Sequence, residues 1–530
     1  GQDVVYAVVE KQDERIGSLV RFVLTKNLVE KTFGTEGYAI ISEKKGSDLV
    51  GIEYEPLYPF MRNLVTSEEK EKLEKNAYRV YAADFVTTEE GTGIVHTAVM
   101  YGQDDFVLGT AVGLPKHHLV NLDGTFVEGT GFLAGRFVKE KGLDVDIIKD
   151  LAHRGFLFDK SKYEHSYPYC WRCKTPLIYY ARDSWYIRMS DLRETMIAEN
   201  QDIHWEPSHI RDGRFGEWLD GVKDWAISRE RYWATPLPIW ESADGERICI
   251  GSFEELRAQA KNASKIGDDF DPHRPFVDEV VLVKDGKEYR RVPEVMDVWF
   301  DSGAMPFAQD HYPFENKEWV EGAGYPADYI SEAIDQTRGW FYTLHAVGAL
   351  MGRGKAYKNV ISLGHILDAE GKKMSKSVGN VVDPWEMIER YGADALRWWM
   401  YTVNQPGDSK NFDEKQADEI VKKVFMILWN VKAFYEMYSG EKRASRKKNR
   451  EGHVLDRWVV ARLNGLVGEV TERLDAYHVL ESARAMGEFI TDVSQWYVRR
   501  SRDRFKGGNT ADKAAALATL RHVLLTLSKL

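Results

Sequence analysis

Residues 371–380 read Gly-Lys-Lys-Met-Ser-Lys-Ser-Val-Gly-Asn, and their setting decides the fold. An apolar run at residues 360–367 precedes them and predicts a buried strand. Residues 383–386, Asp-Pro-Trp-Glu, follow with an N-cap acceptor, a proline at the first helical position and a glutamate at the third, which predicts a helix start. The stretch is therefore a loop between a strand and a helix, an arrangement typical of an α/β sheet.

Two lysines in this loop, Lys373 and Lys376, lie three positions apart beside the hydroxyls of Ser375 and Ser377. In a phosphoryl or nucleotidyl transfer, negative charge builds up on the transferring and leaving groups, and compact ammonium groups on a flexible loop can follow it. The composition of the loop therefore suits a polyphosphate ligand. For a generic Lys-x-x-Lys loop, the alternative interpretation is a solvated turn.

The loop resembles, letter for letter over residues 373–377, the second signature of the class I aminoacyl-tRNA synthetases. In that family the loop closes over ATP while the amino-acid carboxylate attacks the α-phosphate, and the lysine matched by Lys376 contacts the phosphates. The resemblance implies ATP with Mg²⁺ as ligands, and four catalytic residues: Lys373, Ser375, Lys376 and Ser377.

The composition is that of a soluble globular protein, with 43% hydrophobic and 29% charged residues among 530. At roughly 150 residues per domain, this length predicts three or four domains. No apolar run approaches the roughly 20 residues of a membrane helix, so we expect no membrane span and no secretory leader. Three cysteines cannot form a disulfide framework in so long a chain, which favours the cytoplasm. A net charge of −11 means that a nucleic-acid partner must meet local basic patches.

Residues 1–165 are rich in glycine, valine, threonine and short alternating runs, which predicts a β-rich module with a few helices. At residues 94–98 a strand of period 2 would put His96 on one face with two apolar neighbours, so a core histidine is one interpretation. The other is that His96 and the carboxylate of Asp105 hold the ammonium and ester of an aminoacyl group.

This segment resembles the editing insertion of the isoleucyl, valyl and leucyl synthetases, where a histidine and a following aspartate bind the misattached aminoacyl end of tRNA for hydrolysis. The matching residues are His96 and Asp105. Val99 stands where the family usually has proline, and the threonine-rich strand of that site would precede Gly1. We therefore expect an editing domain that is incomplete at its N-terminal end.

A cysteine pair, Cys170 and Cys173, follows in the string Cys-Trp-Arg-Cys. Two cysteines at this spacing can supply half of a tetrahedral zinc site. The resemblance implies a second pair upstream, and Cys249 stands alone, so the pair is either a zinc half-site or two reduced thiols.

Two acidic and aromatic clusters, at residues 296–303 and 329–341, are predicted at strand ends. In an open parallel sheet the ligand lies beyond the carboxyl ends of the strands. There, polar side chains can accept hydrogen bonds from ribose hydroxyls and an α-ammonium group, and tryptophans can line an apolar cavity. The predicted substrate-binding residues are Glu332, Asp335, Gln336, Trp299 and Trp340. The letters of the second cluster resemble the isoleucyl branch of the family.

The chain beyond the lysine loop is predicted to be helical. Residues 441–450 contain six basic residues, for which a solvated linker is favoured over an RNA contact. Near the end, Asp492, Trp496 and Arg500 recur every four residues and would form one stripe on a helix. These helices resemble the stem-contact region and the anticodon-binding domain of the family.

The expected fold is α/β: a partial Rossmann-type parallel-sheet catalytic domain with a β-rich editing insertion and a C-terminal all-α bundle. We expect an editing domain at 1–165, the catalytic domain at 166–382 with a connective insertion at about 241–290, a helical stem-contact region and basic linker at 383–450, and an anticodon-binding bundle, truncated, at 451–530.

The resemblance implies activation of isoleucine with ATP, transfer to tRNA(Ile) and hydrolysis of valyl-tRNA(Ile), by a monomer in the cytoplasm. A second, hydrolytic site is needed because one methylene in an apolar pocket is worth only about 1–3 kcal/mol, a limit for which isoleucyl enzymes are the standard example. Two alternatives are a free-standing aminoacyl-tRNA deacylase, which would use His96 and Asp105, and a non-catalytic tRNA-binding fragment.

The first signature of the class, His-Ile-Gly-His or a variant, has no equivalent at the expected place. Residues 364–367, Gly-His-Ile-Leu, lie on the strand just before the lysine loop, which is the wrong position. We therefore expect a fragment that does not form the adenylate alone. Isoleucine-dependent pyrophosphate exchange by this chain alone would contradict that expectation.

Overall fold

The computed structural model describes residues 1–13, 17–89, 91–170, 172–375, 378–440, 452–507 and 509–530. Lys376, Ser377 and the basic segment at 441–450 lie outside the described residues. Contacts divide the chain into two compact units, Gly1–Asp183 and Ser184–Leu530. Within the described ranges, no helix combines the length and the apolarity that crossing a membrane requires.

The first unit is built on a three-stranded antiparallel sheet of order β2-β1-β3. One face of β1 buries Ala7 and Val9 against Leu24 and Phe33. The elements are β1 Val5–Asp13, β2 Ser18–Thr25, α1 Val29–Phe33, β3 Ala39–Lys45, α2 Met61–Leu64, α3 Ser67–Asn76, α4 Gln103–Ala111 and α5 Leu143–His153. The strand expected at residues 94–98 is wrong, because that segment carries no regular sheet pairing.

The first unit ends at Asp183, while the domain boundary expected at residue 165 stays a prediction. The ring of Tyr180 stacks on His118 with centroids 3.9 Å apart, and the amide of Ala181 donates to the carbonyl of Met100 at 2.8 Å. These contacts hold the residues before Ser184 on the first unit, so Cys170 and Cys173 belong to it.

The second unit contains a parallel sheet of order β13-β14-β5, which confirms the parallel sheet predicted for the catalytic domain. Its central strand, β14, buries Val360, and Trp205 of β5 and Phe341 pack in the same core. The elements up to the lysine loop are β4 Tyr186–Ile187, α6 Arg193–Gln201, β5 His204–Glu206, α7 Gly216–Asp220, β6 Trp225–Ala226, β7 Ser228–Arg229, β8 Ile239–Ser242, β9 Arg247–Cys249, α8 Phe253–Gln259, β10 Val281–Lys284, β11 Lys287–Arg291, β12 Val295–Met296, α9 Val298–Ala308, α10 Lys317–Glu321, β13 Ala327–Ala333, α11 Trp340–Leu350, β14 Tyr357–Leu363 and β15 Ile366–Leu367.

Residues 239–291 form their own sheet of order β10-β11-β8-β9 around Trp240 and Leu282. Asp285 and Gly286 form the two-residue turn between the antiparallel strands β10 and β11, and both have positive φ, as such a turn favours. The boundaries of this insertion stay a prediction.

The remainder of the second unit is helical around a core that includes Val459, Leu463, Phe489 and Leu520. Its elements are α12 Pro384–Tyr391, α13 Ala393–Thr402, β16 Lys410–Asn411, α14 Glu414–Ile420, α15 Met426–Ser439, α16 Val454–Asp475, α17 Val479–Thr491, α18 Arg502–Lys506 and α19 Thr510–Leu527, with π-helical turns at Val421–Phe425 and Asp492–Val498. The predicted start of α12 is confirmed, because the Asp383 carboxylate accepts from the amide of Trp385 at 2.8 Å.

Candidate functional site

The predicted substrate residues lie at the carboxyl edge of the parallel sheet. Glu332 is the penultimate residue of β13 and is exposed, and Asp335 and Gln336 follow in a 3-10 turn. The side-chain amide of Gln336 donates to Asp335 at 3.1 Å, and its Oε1 accepts from the main-chain amide of Trp340 at 2.9 Å. Gln336 is thereby fixed at the start of α11.

Trp299 and Trp340 come together because α9 packs along α11. The indole Nε1 of Trp340 donates to the carbonyl of Ser302 at 3.1 Å. A Cβ at Gly339 would lie 2.7 Å from Oε1 of Gln336 and 3.1 Å from the ring of Trp299, so any larger residue would have to displace both side chains. Trp299 remains 42% exposed, which leaves ring surface available to a ligand.

Asp297, which the sequence did not single out, fixes the start of the helix that carries Trp299. It is 4% exposed, and its carboxylate accepts from the amide of Trp299 at 3.2 Å and from Arg229 at 2.7 Å. Burial raises the pKa of Asp301 one turn later; a hydrogen bond with Thr235 opposes this shift, and the nearby charge of Asp297 adds to it. The sequence could have shown Asp297 as a helix N-cap, but it gives no sign that Arg229, 68 residues upstream, is its partner.

The lysine loop follows β15, which pairs in parallel with β16. Its first turn closes when the amide of Gly371, at φ +77°, donates to the carbonyl of Asp368 at 3.0 Å. The exposed Lys373 then pairs through its main chain with Leu367. Met374 packs on the cluster that contains Met387 and Trp399, so the first half of the loop rests on the helices that follow it.

Two further residues, Asp368 and Asn380, hold this loop and were missed by the sequence reasoning. The amide nitrogen of Asn380 donates to Asp368 at 2.7 Å, and its Oδ1 accepts from the amide of Ser375 at 2.9 Å. The side chain of Asn380, the main-chain amides of Lys372 and Glu370, and the charge of Lys372 lower the pKa of Asp368. The placement of Lys376 and Ser377 stays a prediction.

In the first unit, His96 lines a cavity of about 530 Å³ together with Tyr6, Tyr54 and Tyr78. His96 is exposed, so the core-histidine interpretation is wrong. Asp105 is not part of this lining; it lies in the first turn of α4, with its carboxylate against Gly102. The structure therefore places His96 at the cavity and Asp105 in the first turn of α4, outside the residues that line the cavity.

The cysteine pair forms a tight turn. The amide of Lys174 donates to the carbonyl of Cys170 at 2.9 Å, and hydrogen bonds from Thr175 and then from Cys170 lower the pKa of Cys173 to about 7. Among the described residues, no group of three or more histidine, cysteine, aspartate or glutamate side chains could hold a metal ion. Cys170 and Cys173 thus offer two ligands, and a zinc site stays a prediction.

On the helical bundle, the stripe predicted near residue 496 is partly engaged in ion pairs. The guanidinium of Arg500 lies 3.9 Å from the ring centroid of Trp496, which is 44% exposed. Asp492 accepts from Arg462 at 2.7 Å. A cation stacked on an exposed ring is a surface that suits nucleic-acid bases.

Comparisons with known proteins agree with this layout. The family model described as "tRNA synthetases class I (I, L, M and V)" matches residues 8–413, and the model described as "Anticodon-binding domain of tRNA ligase" matches residues 456–530. The chain is 45% identical over 530 residues to the isoleucine–tRNA ligase of Clostridium novyi (strain NT), covering 99% of this chain and 49% of that protein.

A second relative, the isoleucine–tRNA ligase of Dehalococcoides mccartyi (strain CBDB1), is 46% identical over 506 residues, with 93% of this chain and 50% of the relative covered. The chain therefore spans about half the length of the curated relatives it matches. Among solved structures, Mycobacterium tuberculosis methionyl-tRNA synthetase in complex with methionyl-adenylate is 20% identical with a TM-score of 0.49, covering 68% of this chain and 62% of that one. From the family match over residues 8–413, together with the parallel sheet and the lysine loop that follows β15, the chain belongs to the class I tRNA synthetases.

Proposed function

We propose that this chain supplies the amino-acid and ATP-binding elements of an isoleucine–tRNA ligase. The observation that carries the proposal is the fixed approach of Trp299 to Gly339, beside Gln336 at the carboxyl edge of the sheet. Two tryptophans and a fixed amide offer an apolar wall with polar groups at one end, which suits a branched aliphatic amino acid. The isoleucine–tRNA ligases that match 99% and 93% of the chain support this substrate.

In the proposed reaction, the isoleucine side chain lies against Trp299 and Trp340, while Glu332, Asp335 and Gln336 accept from the α-ammonium and the ribose. The isoleucine carboxylate attacks the α-phosphate of ATP, and pyrophosphate leaves. Lys373 and Lys376 oppose the charge that accumulates on the leaving phosphates. Mg²⁺ bound to the phosphates would neutralise part of the same charge.

We also propose that the helical bundle binds tRNA(Ile), as the match to an anticodon-binding model and the stacked Arg500 support.

The three cysteines are free thiols, which fits a reducing cytoplasm. We propose a monomer there.

Removing either tryptophan ring tests the proposal. We expect Trp299→Ala and Trp340→Ala each to weaken isoleucine binding by about 2 kcal/mol, or about 30-fold in Kd, because each ring supplies apolar contact area. Isothermal titration of the chain with isoleucine measures this. Trp429→Ala is the matched control, since that ring lies 65% exposed on α15. A folded wild-type chain that binds no isoleucine, or ring deletions that leave Kd unchanged, would contradict the proposal.

A second activity, hydrolysis of valyl-tRNA(Ile), is proposed for the cavity that His96 lines. We expect His96→Ala to slow deacylation about tenfold, through loss of a hydrogen bond to the bound ester. Asp105→Asn should change the rate by less than about twofold, because Asp105 does not line the cavity and its new amide retains an acceptor oxygen. The release of valine from charged tRNA measures both rates, and an equal loss in the two variants would contradict this placement.

A further inference from the structure

Asp368 and Asn380 join the two ends of the described part of the lysine loop, although they are 12 residues apart. Asp368 is 8% exposed, and its carboxylate accepts from the amides of Lys372 at 2.7 Å and Glu370 at 3.1 Å as well as from Asn380. A carboxylate with so little solvent access is stable only while such donors remain in place.

Asn380 uses both ends of its side-chain amide. Its Oδ1 accepts from the amide of Ser375 at 2.9 Å, and its Nδ2 donates to Asp368 and to the carbonyl of Lys373 at 3.2 Å. It therefore holds the main chain on both sides of Met374. An aspartate at this position would lack the donor, and an apolar residue would lack both groups.

These contacts hold the main chain of Lys373 and leave its side chain in solvent. Its main chain is fixed by Asn380 and by pairing with Leu367, whereas its side chain is exposed. A flexible residue loses conformational entropy when it is ordered, so a loop base that is already ordered loses less of it when a ligand binds.

We propose that Asp368 and Asn380 are positioning residues for ATP: they fix the main chain at Lys373 and Ser375, so that the ammonium group of Lys373 meets the phosphates from a rigid base. This role rests on the proposed function of the loop. Neither residue contacts ATP in the proposal; both act through the main chain of the loop.

The first test measures loop order without any activity. Trypsin cleavage after Lys372 and Lys373, located by mass spectrometry on the intact chain, should become about tenfold faster in Asn380→Ala. The reason is that the main chain at these lysines leaves its hydrogen-bonded conformation more often. Asn430→Ala, an exposed asparagine on α15, is the control and should leave cleavage unchanged. Unchanged cleavage in Asn380→Ala would overturn the proposal.

The second test uses exchange of the two side chains. In Asn380→Asp two carboxylates face each other, and in Asp368→Asn two amide groups do, so each change disrupts the charge-assisted hydrogen bond between the positions. Each should therefore raise the Kd for Mg-ATP about tenfold. The double variant Asp368→Asn/Asn380→Asp restores a donor and an acceptor between the two positions. Its Kd should fall below that of either single variant but stay above the wild-type value, because a carboxylate at position 380 cannot donate to the carbonyl of Lys373. A loop that the single changes had merely destabilised would show no such recovery.

The outcomes separate the two proposals. Faster cleavage in Asn380→Ala, together with unchanged affinity for Mg-ATP, would overturn the positioning role and leave the function of the loop standing. Absence of Mg-ATP binding by the folded wild-type chain would overturn the proposed function and, with it, the positioning role. The cleavage result would then show only that the hydrogen bonds between Asp368 and Asn380 order the loop.

Discussion

Replacing Gly303 by alanine should lower the free energy of unfolding of the second unit by about 1–3 kcal/mol and weaken isoleucine binding. A Cβ at this position would lie 2.6 Å from the carbonyl oxygen of Thr343 and 3.0 Å from Val347 on α11. Because a main-chain carbonyl cannot turn away as a flexible side chain can, α9 and α11 must separate. Trp299 and Trp340 lie on these two helices, so their spacing changes with it.

Urea denaturation and isoleucine titration of the same Gly303→Ala sample measure the two effects. The matched control is Gly465→Ala, another glycine inside a helix, where a new Cβ would meet no atom within 4 Å. That variant should be stabilised by up to about 1 kcal/mol, since alanine favours a helix over glycine. If both variants shift stability in the same direction, the close packing of α9 on α11 is not what requires glycine at 303.

Truncating Asp456 to alanine should cost the helical bundle about 3–5 kcal/mol, the usual result of leaving one buried partner of an ion pair unpaired. Asp456 and Arg504 are each 9% exposed and are joined by two parallel hydrogen bonds of 2.8 Å. The hydroxyl of Tyr497 also donates to Asp456 at 2.7 Å. Burial, and then the charge of Asp456, raise the pKa of Tyr497, so this donor keeps its proton.

The control for this variant is Asp512→Ala, which removes the more exposed of the two carboxylates on Arg504. Arg504 keeps its bidentate partner in that case, so the loss should stay near about 1 kcal/mol. Thermal unfolding followed by near-ultraviolet circular dichroism compares the two. Equal losses would show that the buried ion pair between Asp456 and Arg504 contributes no more to the stability of the bundle than the more exposed pair does.

The sequence predicted those parts of the fold that depend on neighbouring residues. The cap at Asp383 and the strand before Lys373 follow from local propensities, and the structure confirms them. The segment around His96 was predicted as a strand because alternation over five residues cannot distinguish a paired strand from an extended, unpaired chain.

The contacts that build the site depend instead on residues far apart in the chain. Arg229 and Asp297 are 68 positions apart, and the approach of Trp299 to Gly339 joins two helices. A single sequence contains the residue types for such contacts but no record of which residues pair. Asp105 shows the same limit, since its position in the first turn of α4, outside the lining of the cavity, follows from the path of the chain.

Gly339 also has a consequence for attempts to engineer the amino-acid preference of this enzyme class. One extra methyl group there would meet both Gln336 and Trp299, so a substitution at this position displaces the proposed pocket wall as well as changing its size. Libraries aimed at bulkier or smaller amino acids should therefore vary the indoles at Trp299 and Trp340 and leave the glycine between them untouched.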